Sequence, residues 1–399
     1  MKAKTIYWSL AFLFIFPAFL FFFDKALSIG LYFLLFLTAA TFLVLFLAGM
    51  KDKTLFYLLC IFFLVHLAAV LFIYYTNFKP FGGGADYDLY HQTAVEISQR
   101  FQQGNFSLEG LDIRHSFPVL IGIVYFLTLP EMLIGQLFTV WLALASGILA
   151  YLIVSEISGS RVRAFWLGLV ICFYPSYIYF GSVLLKDTVT VPLVLAGLLL
   201  SIKIFKDFSW QKFLSFFIIL TAVINLRFYI GYALLYGFAI SWFFIAKFEL
   251  KKRIKYGIIV FLILGFSPLL AGDGYFGYND IKSFLKPERI TFYREITYNT
   301  PPASAHTPPA SAHTPPASAE TSEGEGSTFV IKTGFGQGPF KFLQNYFQSF
   351  IYGLLGPFPW QIKYKRQIIA LIEVIPWYFL LSIITVSYTH LTLPTILRV

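Results

Sequence analysis

Uninterrupted apolar runs recur along this chain, and several of them reach 18 residues or more. Runs of that length are typical of transmembrane helices, which need about 20 apolar residues to cross the hydrocarbon core. The composition agrees, because 58% of the residues are hydrophobic, only 13% are charged, and the mean hydropathy is +0.73. Soluble globular proteins carry about 25% charged residues. The sequence therefore predicts an all-α, polytopic integral membrane protein with about 10 transmembrane helices.

The order of the spans follows from where lysine and arginine fall between them. These residues concentrate on the cytoplasmic side of membrane proteins, so the net charge of +10 indicates membrane anchoring and not a nucleic-acid partner. The predicted spans are Thr5–Phe23, Ala26–Gly49, Thr54–Tyr75, Met132–Val154, Ala164–Leu185, Thr188–Phe205, two within Phe213–Ala246, Tyr256–Leu270 and Ile368–Thr385. Whether Phe347–Phe358 also crosses is left open.

Two apolar stretches need a separate interpretation. Phe117–Leu129 is too short to cross comfortably, and a crossing there would move every later basic cluster to the outer face. We therefore expect a re-entrant or surface helix. Phe213–Ala246 is too long for one span and contains Asn225 and Arg227. Two short, tilted spans with Arg227 near their outer turn avoid the roughly 2.5–3.5 kcal/mol that an arginine costs at mid-membrane.

The first outer loop begins with the unusual sequence G-G-G-A-D-Y-D-L-Y-H, from Gly82 to His91. Its two carboxylates, Asp86 and Asp88, lie just where a membrane helix surfaces, and the glycines before them permit a tight turn next to a ligand. Leu89–Gln103 has the pattern of a short amphipathic helix at the membrane surface. The alternative is an ordinary polar loop between two spans.

A second long outer loop has a different composition. It holds three successive seven-residue copies, T-P-P-A-S-A-H twice and T-P-P-A-S-A-E once, which predict an extended, solvated linker. The final residues resemble translated sequencing-adapter read-through, which predicts a non-native tail; a native polar tail is the alternative. The predicted regions are 1–76 (N-terminal spans), 77–131 (first outer loop), 132–270 (transmembrane core), 271–340 (second outer loop, repeat at 300–320), 341–385 (C-terminal membrane segments) and 386–399 (tail).

The predicted threading gathers charged residues on the outer face. They are Asp86, Asp88, Lys186, Asp187 and Arg227, with His91, His115, Arg289 and Arg294 as additional candidates. Cations can hold a phosphate and a carboxylate can accept a proton, as an active site at the membrane surface requires. The structural alternatives are snorkelling for Lys186 and Asp187, and an ion pair between helices for Arg227. We expect His66, inside the third span, to form an interhelical hydrogen bond.

The pattern resembles the C-type (GT-C) superfamily of membrane glycosyltransferases, in particular bacterial relatives of dolichyl-phosphate-mannose protein mannosyltransferases and of the lipid A aminoarabinose transferase. In those proteins an acid opens the first large outer loop and a tyrosine follows four residues later, as Asp86 and Tyr90 do here. His91 and Ala94 continue the pattern. The family often places a second acid directly after the first, whereas here that position is Tyr87 and the acid comes next.

Further short matches lie between about residue 75 and residue 375 and resemble uncharacterised bacterial members of the superfamily. Each is short, and their order and sidedness carry the resemblance. They are Tyr174-Pro175-Ser176, Leu184-Leu185-Lys186-Asp187-Thr188, Leu226-Arg227-Phe228-Tyr229 and Gly356-Pro357-Phe358-Pro359-Trp360.

The resemblance implies an inverting enzyme that transfers a sugar from a polyprenyl-phosphate carrier to a cell-envelope acceptor (lipid, glycan or protein). Its active site is expected on the extracytoplasmic face of a multi-pass bacterial inner-membrane protein. Asp86 is the expected base, and Lys186 or Arg227 the expected phosphate ligand. Asp88 orients the acceptor or, with Asp86, helps hold a divalent ion such as Mg²⁺ or Mn²⁺. Tyr90, His91 and Asp187 are expected to shape the site.

Two other classes of membrane protein fit parts of the sequence. An O-antigen polymerase or ligase also uses lipid-linked sugars and relies on arginines and a histidine in a late outer loop, where this chain has Arg289 and Arg294. A transporter would show internal repeats and polar residues near mid-membrane. The spans of this chain show no repeat, and its ionisable residues gather at the span ends.

Overall fold

A computed structural model describes residues 15–78, 85–111, 113, 115–245, 249–279, 282, 339–356, 358, 360 and 371–383. These residues form helices, turns and loops, and none of them lies in a β-strand. The chain divides into two compact units, Met1–Lys79 with Gly84–Tyr278, and Pro80–Gly83 with Asn279–Val399. The first unit contains all seven residues of the predicted site, from Asp86 to Arg227.

The described helices lie mostly in the first unit. In chain order they are α1 (Lys25–Leu47), α2 (Lys53–Thr76), α3 (Ala85–Gln102), α4 (Phe117–Leu127), α5 (Met132–Ser158), α6 (Arg161–Cys172), α7 (Pro175–Phe180), α8 (Asp187–Lys206), α9 (Trp210–Leu226), α10 (Phe228–Phe244), α11 (Leu250–Leu264), α12 (Phe266–Leu270), α13 (Pro339–Leu355) and α14 (Leu371–Ile383). Within the described residues, five helices are long and apolar enough to cross a membrane: α1, α2, α5, α8 and the stretch Arg253–Leu270. The prediction of a helical membrane protein is confirmed at this level, while the total of about 10 spans stays a prediction.

Helix α5 forms the centre of the first unit. Of its most apolar 18-residue window 67% is buried, against 33% for the corresponding window of α2. It packs against α1, α2, α6 and α8. Gly147 of α5 faces the ring of Phe62, and a Cβ at that glycine would lie only 3.1 Å from the ring. Small residues at such points let two membrane helices approach closely.

Ion pairs connect the helices at one end of the first unit. Arg161 lies 3.3 Å from Asp52, and the Lys206 ammonium lies 2.7 Å from the Glu156 carboxylate. We call this the basic end and define it by Arg161, Lys206 and Lys212. At the opposite end Lys186 precedes α8 and Arg227 joins α9 to α10, so we call it the Arg227 end. The structure thus groups these helix ends as the predicted threading does, while the side of the membrane on which each group lies stays a prediction.

The prediction that Phe213–Ala246 forms two helices and not one is confirmed, while the crossing of the membrane by each of them stays a prediction. Helix α9 ends at Leu226, helix α10 begins at Phe228, and Arg227 between them has the non-helical angles φ −147° and ψ 84°. The helix that begins at Phe117 is also short. Helix α4 has 11 residues, so its length is about 16 Å at 1.5 Å per residue. The hydrocarbon core is roughly 30 Å thick.

Two sequence-based boundaries are wrong. Ala164–Leu185 is not one span, because α6 ends at Cys172 and α7 begins at Pro175, with Tyr174 in an extended conformation. A residue before proline disfavours the helical region, which explains the break. The helix predicted over Leu89–Gln103 begins earlier, at Ala85. Asp86 and Asp88 therefore lie in its first turn, where carboxylates interact favourably with the helix dipole.

The expected interhelical hydrogen bond of His66 is also wrong. The side chain is fully buried, and neither ring nitrogen hydrogen-bonds any described residue. Its ring stacks on Phe62 at a centroid distance of 5.7 Å and meets Tyr177 edge-on at 5.2 Å. Aromatic contacts thus hold this imidazole in place, and not the interhelical hydrogen bond that was expected.

In the second unit, α13 begins at Pro339, before the predicted patch Phe347–Phe358, and α14 lies within the predicted span Ile368–Thr385. The Tyr378 hydroxyl donates to the Leu355 carbonyl. Phe358 and Trp360 of the G-P-F-P-W sequence stack at 4.8 Å. Several predictions lie outside the described residues: residues 5–14 of the first span, the repeat at 300–320, the tail at 386–399, Arg289 and Arg294.

Candidate active site

Helix α3 presents two different polar faces. Asp86, Tyr90 and Thr93 follow the spacing i, i+4, i+7, so they share one face of the helix. Asp88 and His91 are spaced i, i+3 and share another. The helix is fixed against α4 by close packing, since a Cβ at Gly122 would lie 2.6 Å from Ile97. The register of α3 therefore decides which carboxylate faces which surroundings.

The Asp86 face of α3 lines a cavity of about 410 Å³ at the Arg227 end. The cavity is walled by α3, by the start of α4, by the residue before α8, by the α9–α10 junction and by the turn after α12. Its polar lining residues are Asp86, Tyr90, Thr93, His115, Lys186, Asn225 and Asp273. The fold thus brings together residues that are far apart in the sequence. The volume of the cavity lies in the range of small-molecule sites.

Lys186 supplies a cation to this cavity. Burial and the nearby Arg227 guanidinium lower the pKa of its ammonium, while Asp187 and Asp86 act in the opposite direction. In the described part of the chain, neither Lys186 nor Asp86 forms a salt bridge with its side chain. An ammonium and a carboxylate therefore face the same cavity without neutralising each other directly, and both remain available to a ligand.

Arg227 is held by Asp187. Its Nε donates to one carboxylate oxygen at 2.9 Å, and an Nη donates to the other at 2.5 Å. Although burial alone would lower it, the hydrogen bonds to Asp187 raise the pKa of Arg227 above its ordinary value. The structure thus places Arg227 in the interhelical ion pair named above as its structural alternative. The pair joins the start of α8 to the α9–α10 junction, next to Lys186.

His115 lines the cavity as a neutral imidazole. Burial, Lys186 and Arg227 lower its pKa to about 4. Its ring meets Tyr90 edge-on at 5.0 Å, and its buried Nδ1 has no hydrogen-bond partner among the described residues. A buried nitrogen without a partner calls for a ligand or a water. His115 can therefore accept or donate one hydrogen bond without carrying charge.

The other face of α3 contacts the α4–α5 junction. His91 Nδ1 lies 2.8 Å from the buried Tyr125 hydroxyl. Burial lowers the pKa of His91, and the nearby carboxylates of Glu131 and Asp88 act in the opposite direction. His91 thus connects α3 to α4, and Asp88 lies near His91 on the same face of α3.

A divalent ion held by both Asp86 and Asp88 does not fit this arrangement. Residues i and i+2 lie about 200° apart around a helix, and here one carboxylate lines the cavity while the other lies near His91. The described residues contain no group of three or more histidine, cysteine, aspartate or glutamate side chains that could hold a metal. Asp86 thus faces the cavity without the second carboxylate that the sequence offered as its metal-binding partner.

Three polar residues of the cavity were missed by the sequence analysis as site residues. Asn225 accepts the backbone N–H of Ser116 at 3.0 Å, and its amide nitrogen donates to none of the described residues. Asp273 accepts from the Tyr232 hydroxyl at 3.2 Å, and Thr93 lies on the Asp86 face of α3. A signal existed for two of them, because Asn225 interrupts an apolar run and Asp273 closely follows a span.

Comparisons of this chain with protein-family models, with curated proteins and with solved structures give no match. A functional conclusion therefore depends on the chemistry of the cavity at the Arg227 end.

Proposed function

We propose that this protein is a membrane glycosyltransferase that moves a sugar from a polyprenyl-phosphate donor to a hydroxyl of a cell-envelope acceptor. One observation carries the proposal: Asp86 and Lys186 line one cavity at one end of a helical bundle without forming a salt bridge with each other. Glycosyl transfer from a lipid phosphate needs a base for the acceptor and a cation for the leaving phosphate, both at the membrane surface.

In the proposed reaction Asp86 accepts the proton of the acceptor hydroxyl. The acceptor oxygen attacks the anomeric carbon from the side opposite the phosphate, so the configuration inverts. The bond between the anomeric carbon and the phosphate oxygen breaks, and the phosphate leaves with the bonding electrons. Lys186 stabilises the charge that develops on it. The proton ends on Asp86 and returns to solvent.

Arg227 has a different part in this proposal from the one that the resemblance implies. Its two hydrogen bonds to Asp187 fix the start of α8, and Lys186 directly precedes that helix. We therefore assign Arg227 and Asp187 to positioning Lys186. Because a guanidinium has five N–H donors, Arg227 keeps donors that can still reach a phosphate oxygen.

The proposed location of the active site is the extracytoplasmic face. The basic end of the bundle holds Arg161, Lys206 and Lys212, and basic residues favour the cytoplasmic side. The cavity lies at the opposite end. A donor whose tail lies in the bilayer would reach a cavity at that surface without leaving the membrane.

The test compares two substitutions on one helix. Asp86→Asn and Asp88→Asn remove the same charge from opposite faces of α3. Full-length protein is reconstituted into vesicles with radiolabelled polyprenyl-phosphate sugars and a cell-envelope fraction, and transferred label is counted. We expect Asp86→Asn to lower transfer by about 10²–10⁴-fold, the usual contribution of a general base, and Asp88→Asn to retain most of it. Full activity of Asp86→Asn, with unchanged folding, would exclude the proposal.

A further inference from the structure

Neutral polar side chains line the cavity at the Arg227 end, beside the charges of Asp86 and Lys186. Two of them are neighbours, because Asn225 accepts the backbone N–H of Ser116, the residue that directly follows His115. The proposed reaction uses a carboxylate as the base and an ammonium as the phosphate ligand. It gives no part to these neutral groups, so they are available to another portion of the ligand.

The neutral groups can both donate and accept hydrogen bonds. His115 has a pKa of about 4, so at pH 7 its imidazole is neutral, with one nitrogen that donates and one that accepts. Its buried Nδ1 has no partner in the described part of the chain. The exposed Asn225 uses its oxygen for Ser116, and its amide nitrogen donates to none of the described residues. The Thr93 hydroxyl donates to the Leu89 carbonyl, and its oxygen can still accept.

This set of groups matches the hydrogen bonding of a sugar. A sugar hydroxyl donates and accepts at the same oxygen, as an imidazole and an amide require of their partner. A phosphate at pH 7 mainly accepts, and a cation such as Lys186 serves it better. Pro118 and Phe228 also line the cavity and give it apolar surface for the C–H groups of a sugar ring. The cavity therefore combines a cation for phosphate with uncharged groups for hydroxyls.

We propose that His115 and Asn225 bind hydroxyls of the uncharged sugar that the donor carries, and so form the sugar subsite of this cavity. The sugar ring of such a donor is bonded directly to its phosphate. A phosphate at Lys186 therefore leaves the ring inside the same cavity, which His115 and Asn225 also line. The inference rests on the proposed function, because it takes the ligand to be a polyprenyl-phosphate sugar.

The experiment measures binding apart from transfer. Full-length Asp86→Asn protein, which keeps both subsite residues, is studied by native mass spectrometry with no acceptor added. Undecaprenyl phosphate and its mannose, glucose and galactose conjugates are added at equal concentrations, and the retained lipid is counted. We expect at least one conjugate to be retained about tenfold more than the bare carrier, the effect of two hydrogen bonds. Equal retention of the bare carrier and of every conjugate would overturn the proposal.

Two further substitutions in the same protein test the subsite residues. Asn225→Asp keeps an oxygen for the Ser116 N–H and loses the amide donor. Its added charge weakens binding of all carriers, so the ratio of conjugate to bare carrier isolates the sugar contact. His115→Phe keeps an aromatic ring beside Tyr90 and loses both nitrogens without a change of charge. Each substitution should lower the ratio about threefold. Retention of the bare carrier shows that the variant is folded.

The sugar subsite and the proposed function fail in different ways. Unchanged ratios in both variants would overturn the subsite, even where Asp86→Asn abolishes transfer. Loss of transfer in His115→Phe with Asp86 intact, together with an unchanged ratio, would place the imidazole at the acceptor and also overturn it. Full transfer by Asp86→Asn would exclude the proposed function, whereas a ratio that depends on His115 and Asn225 would still support the subsite.

Discussion

The two ends of the first unit differ in how their charges are paired, because the Arg227 end combines one ion pair, Arg227–Asp187, with two charges that form no salt bridge among the described residues. At the basic end, Asp52 accepts hydrogen bonds from Thr54 and Tyr151 and pairs with Arg161. Although burial alone would raise it, these hydrogen bonds and the Arg161 charge hold the pKa of Asp52 below its ordinary value. At the Arg227 end, Asp86 and Lys186 face a cavity and form no salt bridge among the described residues.

This difference separates structural charge from functional charge. A charge that is satisfied by protein partners contributes to stability and leaves nothing for a ligand. Lys186 is half-buried and forms no salt bridge among the described residues, which costs stability, and such groups concentrate at functional sites. Asp86 is exposed and faces the same cavity. Because both ends belong to one bundle with the same helices, the contrast comes from the side chains and not from the fold. It should appear as opposite effects of the same substitution at the two ends.

The largest expected contrast is between two lysines. Lys186→Gln should lower transfer by about 10²–10³-fold, as expected on losing one group that stabilises transition-state charge. Its midpoint of thermal unfolding should stay unchanged or rise, because a half-buried ammonium without a carboxylate partner is removed. Lys206→Gln should leave transfer unchanged and cost about 0.2–1 kcal/mol of stability, the usual worth of an exposed ion pair. Transfer assays and thermal unfolding of both variants measure this contrast. Equal loss of transfer in the two variants would show that the two ends do not differ in function.

The sequence predicted the helices and the grouping of their ends better than it predicted the arrangement of the candidate site. Apolar length located most helices, and lysine placement grouped their ends, because both depend on the membrane and not on tertiary packing. The junction at Arg227 was predictable since an arginine in a long apolar run has a clear cost at mid-membrane. The break at Tyr174 was missed although Pro175 marked it, because apolar residues continue through the break.

The arrangement of the site residues could be seen only in the three-dimensional structure. The sequence placed Asp86 and Asp88 together in one site, with Asp86 as the base, and only the helix register shows that they lie on different faces of α3. Likewise, the sequence left Arg227 open between phosphate ligand and structural partner, and the partner Asp187 is 40 positions away. Long-range pairs of this kind leave no local pattern. Asn225 and Asp273 show the same limit, since each enters the cavity from its own element.

A smaller effect is expected when the Arg227–Asp187 pair is broken. Arg227→Gln leaves the Asp187 carboxylate without its bidentate partner. Because the side chains are 27% and 39% exposed, solvent screening reduces the cost to roughly 1–2 kcal/mol, measured by thermal unfolding. Transfer should fall about tenfold, since Lys186 loses the support of its neighbour. Arg227→Lys keeps the charge but not the fork of two hydrogen bonds, so full recovery in that variant would show that charge alone matters.

The smallest effect concerns His115 and pH. Its pKa is about 4 in the folded protein, against an ordinary value of 6.5. Between pH 6.5 and pH 4 the unfolded chain binds a proton that the folded protein does not, so this residue makes the protein less stable as the pH falls through that window. His115→Gln should therefore lose less of its unfolding midpoint than wild type when the pH is lowered from 7 to 5. At pH 7 and above, where the imidazole is neutral in both states, the offset between the two midpoints should no longer depend on pH. Parallel curves across the whole range would mean that His115 is not held neutral by burial and by the cations of the Arg227 end, and the contrast between the two ends would then rest on Lys186 and Asp86 alone.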